Sequence, residues 1–158
     1  QVALDCTDAL APRYALSDAC AQGGVPMVHG SVSRWEGRVA VLCGPLAAAV
    51  PCYRCLWPHD APDSPDAGVP SCDAAGVLGV VPGLVGMVQA TQALLLLLGL
   101  ESPLAGTLWV HDARSMAAHR VRLARDPLCS ACAPGRIGAA GAGDPARDTG
   151  PTAAGGGA

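Results

Sequence analysis

Two C-x-x-C pairs, Cys52-Tyr53-Arg54-Cys55 and Cys129-Ser130-Ala131-Cys132, stand 73 residues apart in a chain of 158. Each pair offers two sulfurs from one tight turn, and together they make the tetrahedral sulfur set that zinc prefers. Such a site holds the end of the chain against its middle. Pro51 precedes the first pair, and Pro127 and Pro134 bracket the second. Two independent redox motifs, or chance in a cysteine-rich chain, are the competing readings. A redox pair normally opens a helix after a strand, whereas Pro134-Gly135 follows the second pair. A structural zinc on Cys52, Cys55, Cys129 and Cys132 is therefore the favoured reading. Structural zinc contributes on the order of 10–16 kcal/mol in small finger peptides, so its loss should unfold this region. A closed four-thiolate site leaves no position for substrate, and the metal is not the catalyst.

The rest of the composition narrows the chemistry. The chain is long enough for one domain, is 51% hydrophobic and only 15% charged, and contains no Lys, no Asn and no Phe. Without Lys it has neither a phosphate-loop lysine nor a Schiff-base lysine. Ten Arg are scattered along a chain of net charge −3, with no basic stripe, so a nucleic-acid partner is not expected. Gln1–Asp8 offers neither the charged start nor the apolar run of a signal peptide. Eight Cys in an aliphatic-rich chain, four of them in C-x-x-C pairs, point to a reducing compartment, and the cytoplasm is the expected location. Cys6, Cys20 and Cys43 sit in apolar surroundings and read as core residues. His29, His59, His111 and His119 have no ligand spacing and receive no role.

Gln1–Cys6 reads as a buried parallel strand ending at a ligand crevice, and Ala11–Gln22 as a helix stopped by Gly23-Gly24. Pro26–Gly30 and Glu36–Cys43 read as further strands. Asp60–Pro70 is a loop, and Thr107–His111 and His119–Leu123 are short strands joined by a turn over Asp112–Ala118. Ala133–Ala158, rich in Ala, Gly and Pro, reads as a disordered tail. Ala74–Leu100 carries no charge and is long enough to span a bilayer, since about 20 apolar residues suffice. Pro82 and four glycines crowd its first half, Gln89 and Gln92 share one face of its second, and no Arg cluster flanks it. A buried helix, with a dimer interface as one place to bury it, is the reading taken over a membrane span.

Several of these segments together resemble the E1-like adenylyltransferase family of the ThiF, MoeB and HesA proteins. The resemblance rests on Asp5-Cys6-Thr7-Asp8 with Arg13-Tyr14 and Asp18-Ala19-Cys20, on Gly30-Ser31 with Arg34-Trp35-Glu36-Gly37, and on Pro51-Cys52-Tyr53-Arg54-Cys55-Leu56. It continues through Ser71-Cys72-Asp73-Ala74-Ala75-Gly76-Val77-Leu78-Gly79, Pro82-Gly83, Gly86, Gln89-Ala90 and Asp126-Pro127 with Cys129 and Cys132. It spans residues 1–132 in order, and matches the second half of the family domain. The fold it implies is α/β, the C-terminal portion of a Rossmann-like adenylation domain with a four-cysteine zinc site.

The activity it implies is ATP-dependent adenylation of the C-terminal glycine of a ubiquitin-like sulfur-carrier protein, of the molybdopterin or thiamine type. Asp8 matches the position that holds magnesium and ATP, with Arg13 beside it, while Asp8 taken alone reads equally well as a helix N-cap. Cys72 matches the cysteine that forms a thioester or persulfide-linked intermediate, against a spare thiol as its plain reading. Ala9 stands where the family usually has Asn, and Ser17 likewise; Gln92 and Leu95 replace the usual Glu and Lys. The Gly-rich phosphate-binding half of the family domain is not in this sequence, and Gly76–Gly86 lacks the fingerprint spacing. The chain thus reads as the second half of such an enzyme, a homodimer when whole and inactive as this piece. The alternative is a non-catalytic zinc module derived from the family.

Overall fold

The computed structural model describes residues 1–44, 50–58 and 76–133. Five strands form one mixed sheet in sequential order: β1 (Ala3–Asp5), β2 (Pro26–Ser33), β3 (Glu36–Cys43), β4 (Thr107–Asp112) and β5 (Ala117–Arg122). Only β1 and β2 run parallel, with Ala3 opposite Met27 and Asp5 opposite His29; every other pair is antiparallel.

Helix α1 (Leu10–Gly23) is the crossover that parallel strands require, joining β1 to β2. It buries Arg13, Tyr14, Ser17, Cys20 and Ala21, a set at helical spacing that gives one inward face. Gly24 ends it in the left-handed region at φ 63, where a side chain would be strained. A single turn, α2 (Tyr53–Leu56), begins inside the first cysteine pair. Helix α3 (Val80–Leu97) fills the connection between β3 and β4 and packs on β2 and β3.

Because successive strand residues face opposite ways, the sheet has two cores. On one face Met27, Ala40 and Leu42 pack with Tyr14, Cys20, Tyr53 and the cysteine pairs. On the other, Val28, Val39 and Val41 pack with Val81, Val85 and Ala93 of α3. Gly37 admits α3 closely, since a Cβ there would lie 2.6 Å from Cγ2 of Val85.

The sequence reading places the elements well and misjudges some extents. β2 runs on to Ser33, three residues beyond the expected Gly30, because it pairs with β3 along its whole length through a tight turn at Arg34-Trp35. The β4–β5 turn is only Ala113–Met116, closed by Asp112, whose carboxylate accepts from the Arg114 amide and the Ser115 hydroxyl. The uncharged segment yields a helix buried along one side only. Gln89 and Gln92 face inward, while Val80, Leu84, Met87 and Leu94 are exposed. Among the described residues α3 is the one helix long and apolar enough to cross a membrane. Asp60–Pro70, Cys72 and the tail beyond Ala133 lie outside the described residues.

Candidate functional site

The parallel pair β1–β2 is uneven. β1 stops at Asp5, while β2 continues through Gly30, Ser31, Val32 and Ser33. Beyond the carboxyl end of β1 this leaves a cavity of about 500 Å³. An open α/β sheet places ligands at this location. Its walls include Thr7, Asp8, Arg13, His29, Ser31, Arg38, Tyr53, Trp57 and, from α3, Pro82 and Gln89.

One fully buried carboxylate organises the floor. Asp5 Oδ1 accepts from the Thr7 amide at 3.0 Å and the Thr7 hydroxyl at 2.6 Å. Its Oδ2 meets His29 Nδ1 at 2.6 Å and Arg13 Nε at 3.3 Å. Burial alone would raise the Asp5 carboxyl, but the hydrogen bonds from His29 and Thr7 outweigh it and hold it below the ordinary value. His29 is pushed below its ordinary value by burial, against the pull of Asp5, and Arg13 adds to the push. The buried negative charge is therefore balanced by Arg13, with His29 a neutral donor. Arg13 also donates to the Thr7 carbonyl and, at 3.4 Å, to the Tyr53 hydroxyl. From the other side Gln89 Nε2 donates to the carbonyls of Asp5 at 2.9 Å and Val28 at 3.2 Å, tying the two parallel strands together.

Asp8 projects from this braced loop. It is exposed on the cavity wall, and the N-cap of α1 is Ala9, with no side-chain cap, so the capping alternative does not hold. Arg13 reaches the same cavity with its guanidinium engaged by Asp5, Thr7 and Tyr53. Cys6 departs from the sequence reading. It is exposed on the cavity wall because the strand has ended, and its sulfur lies 3.9 Å from Gln89 Oε1. Cys20 and Cys43 are buried as expected, and burial pushes the Cys43 thiol to about 12.

The two C-x-x-C pairs meet. Their four sulfurs lie within 4.8 Å of one another, with Cys52–Cys55 at 3.8 Å, Cys52–Cys129 at 3.5 Å and Cys55–Cys132 at 3.4 Å. A disulfide would need about 2.05 Å. Zinc with sulfurs about 2.3 Å away would space them about 3.8 Å apart, so the donor set fits that ion. The Cys52–Cys129 and Cys55–Cys132 contacts between the pairs are as close as Cys52–Cys55 within the first, as one shared site requires and two separate redox motifs do not. Hydrogen bonding between the two lowers the Cys55 thiol and raises that of Cys52. A divalent ion among the four sulfurs would allow them to ionise together.

Sequence reasoning missed Asp5, His29, Tyr53 and Gln89 as builders of the cavity. The available signal was an acid at the last residue of a buried strand. Its partner His29 stands in the adjacent parallel strand, which only the register reveals.

The fold of this chain, a mixed sheet with a crossover helix, is similar to that of solved structures of Escherichia coli MccB. One of these, determined with ATP, superposes at a TM-score of 0.61 over 82% of this chain and 39% of that one, at 12% identity. Another, with MccA-N7isoASN, gives 0.62 over 82% and 40%. The chain belongs to the ThiF family, whose family model matches residues 1–131. The Sulfur carrier protein adenylyltransferase of Thermus thermophilus is 41% identical over 131 residues, 82% of this chain and 47% of that protein. The SAMP-activating enzyme E1 of Haloferax volcanii is 40% identical over 137 residues, 86% of this chain and 48% of that protein. The Adenylyltransferase and sulfurtransferase MOCS3 of Caenorhabditis briggsae is 39% identical over 133 residues, 83% and 32% respectively. The chain thus spans about a third to a half of the curated relatives it matches.

Proposed function

We propose that this chain is the C-terminal part of an ATP-dependent adenylyltransferase that activates the C-terminal glycine of a ubiquitin-like sulfur carrier. The observation that carries the reading is Asp8, an exposed carboxylate on the hydrogen-bonded loop that walls the cavity beyond the carboxyl end of β1, in a chain of the ThiF family. Asp8 would hold the magnesium that neutralises the phosphates of ATP, and Arg13 would lend positive charge to the same wall while bracing the loop. The carrier's carboxylate oxygen attacks the α-phosphorus, the bond to the β-phosphate oxygen breaks, and pyrophosphate leaves. Cys72, outside the described residues, would then take the acyl group as a thioester, displacing AMP. Zinc on Cys52, Cys55, Cys129 and Cys132 would hold the chain's end to its middle and take no part in the chemistry.

The phosphate-binding Gly-rich half of the family domain would be supplied by sequence outside this chain, which is inactive alone in this reading. The whole enzyme would work in the cytoplasm as a homodimer, and the exposed Val80, Leu84, Met87 and Leu94 offer a subunit contact. Pyrophosphate exchange tests the activity. The reading frame extended upstream should catalyse exchange that requires the carrier, and Asp8→Asn should lower it by about 100-fold or more. An upstream frame without a Gly-rich strand–turn–helix, or exchange indifferent to Asp8, would overturn the reading. Exchange by the isolated chain would contradict both its proposed inactivity and the alternative of a non-catalytic zinc module.

A further inference from the structure

Tyr53 belongs to two places at once. It lies between the two cysteines of the first C-x-x-C pair, and it is buried, 1% exposed, in the wall of the cavity. Its backbone amide donates to Ser17 Oγ at 3.1 Å, and its ring packs edge-on to Tyr14 and stacks on Trp57 at 4.6 Å. The next residue, Arg54, clamps Asp18 of α1 through two 2.8 Å bonds. The knuckle is thus locked to α1, which also carries Arg13. The Tyr53 hydroxyl accepts from Arg13 at 3.4 Å, and the guanidinium lies 5.7 Å from the centre of its ring. Arg13 in turn grips both Asp5 and the Thr7 carbonyl. The chain of contact runs from the cysteine cluster to the residue before Asp8.

We propose that Tyr53 is a positioning residue that links the four-cysteine metal site to the cavity loop Cys6–Asp8, through Arg13 and Asp5. An ordered knuckle fixes the Tyr53 ring and hydroxyl, these fix the guanidinium, and the guanidinium fixes the loop. A knuckle free to move releases Arg13 to other rotamers and loosens the loop, although neither the cysteines nor the zinc touch the cavity. The link rests on the reading of the cluster as a zinc site. It makes the zinc more than a fastener: its occupancy sets how well Asp8 is held for a cation or a phosphate.

Amide hydrogen exchange at Thr7 tests the link, because that amide donates to Asp5 Oδ1. The full chain is compared as wild type, Tyr53→Leu and Tyr53→Phe, with zinc content measured on the same samples and the Trp109 amide of β4 as reference. With zinc bound, Tyr53→Leu should speed Thr7 exchange by about tenfold or more while zinc content and Trp109 exchange hold. Tyr53→Phe keeps the ring beside Arg13 and should fall between the two. Unchanged Thr7 exchange in zinc-loaded Tyr53→Leu would overturn the link alone. Loss of zinc or of Trp109 protection in that variant would assign Tyr53 to the fold as a whole and also overturn it. A wild-type chain that holds no zinc would overturn the metal reading and the link together.

Discussion

Gly30 exists for Gln89. A Cβ at Gly30 would lie 2.3 Å from Cδ of Gln89 and 2.5 Å from both its amide nitrogen and its amide oxygen. The missing side chain lets α3 lay a buried amide across the ends of β1 and β2, where it satisfies the Asp5 and Val28 carbonyls.

Gly30→Ala should therefore destabilise the chain by about 2–3 kcal/mol, since the amide must leave and give up two buried hydrogen bonds. Denaturant unfolding measures this. Gln89→Ala alone should weaken the fold through the loss of the same two hydrogen bonds. The double variant should lose clearly less than the sum of the two, because the clash disappears with the amide. Additive losses would show that the two residues do not share one site.

Cys52→Ser should lower bound zinc from about one per chain towards none and broaden the thermal transition. Elemental analysis and calorimetry on the same sample check it. Cys20→Ser, in the same core but outside the cluster, should keep its zinc. A metal-free wild type that unfolds cooperatively at an unchanged temperature would refute the structural role.

Acid should weaken the fold through His29 before it reaches Asp5. The folded His29 is held below its ordinary 6.5 by burial, so under acid the unfolded chain binds this proton more readily than the folded one. Stability then falls as pH drops below about 6.5. Asp5, held below 3.8, adds its own loss only at lower pH, and in the same direction. Between about pH 7 and pH 5, His29→Gln should show a shallower fall in melting temperature than wild type, measured on zinc-loaded samples. An equal slope would remove His29 from the account.

Thiol labelling should sort the cysteines by place. In the zinc-loaded chain Cys6, exposed at the cavity, should react with a maleimide, while buried Cys43, pushed to about 12, and buried Cys20 should stay inert. Chelation should then open Cys52, Cys55, Cys129 and Cys132. Peptide mapping by mass spectrometry reads each site.

What the sequence disclosed follows a physical divide. The cysteine cluster was legible because a metal site is written in residue type and spacing, whatever the path between the pairs. The strands and helices were legible from local apolar rhythm and from stop residues such as Gly24. The cavity floor was not, because Asp5, His29, Arg13 and Tyr53 come together only through the β1–β2 register and the α1 crossover. Nothing local marks His29 as a partner of Asp5. Cys6 was misplaced for a similar reason. Its apolar neighbours suggested burial, yet β1 ends one residue earlier and turns it outward.

The two faces of the sheet are held in different ways, and that governs what change the chain can absorb. On the α3 face Val28, Val39, Val41, Val81 and Val85 meet through dispersion alone, and one aliphatic residue can replace another for little. On the opposite face Met27, Ala40 and Leu42 share the layer with positions specified by a bond they must make: a sulfur, a carboxylate, a guanidinium, a phenol. Drift towards Ala, Leu and Val, so marked in this composition, can run far through the first layer. In the second it stops at the bonded positions, which set an ionic and metal-ready cluster inside an otherwise interchangeable hydrocarbon frame.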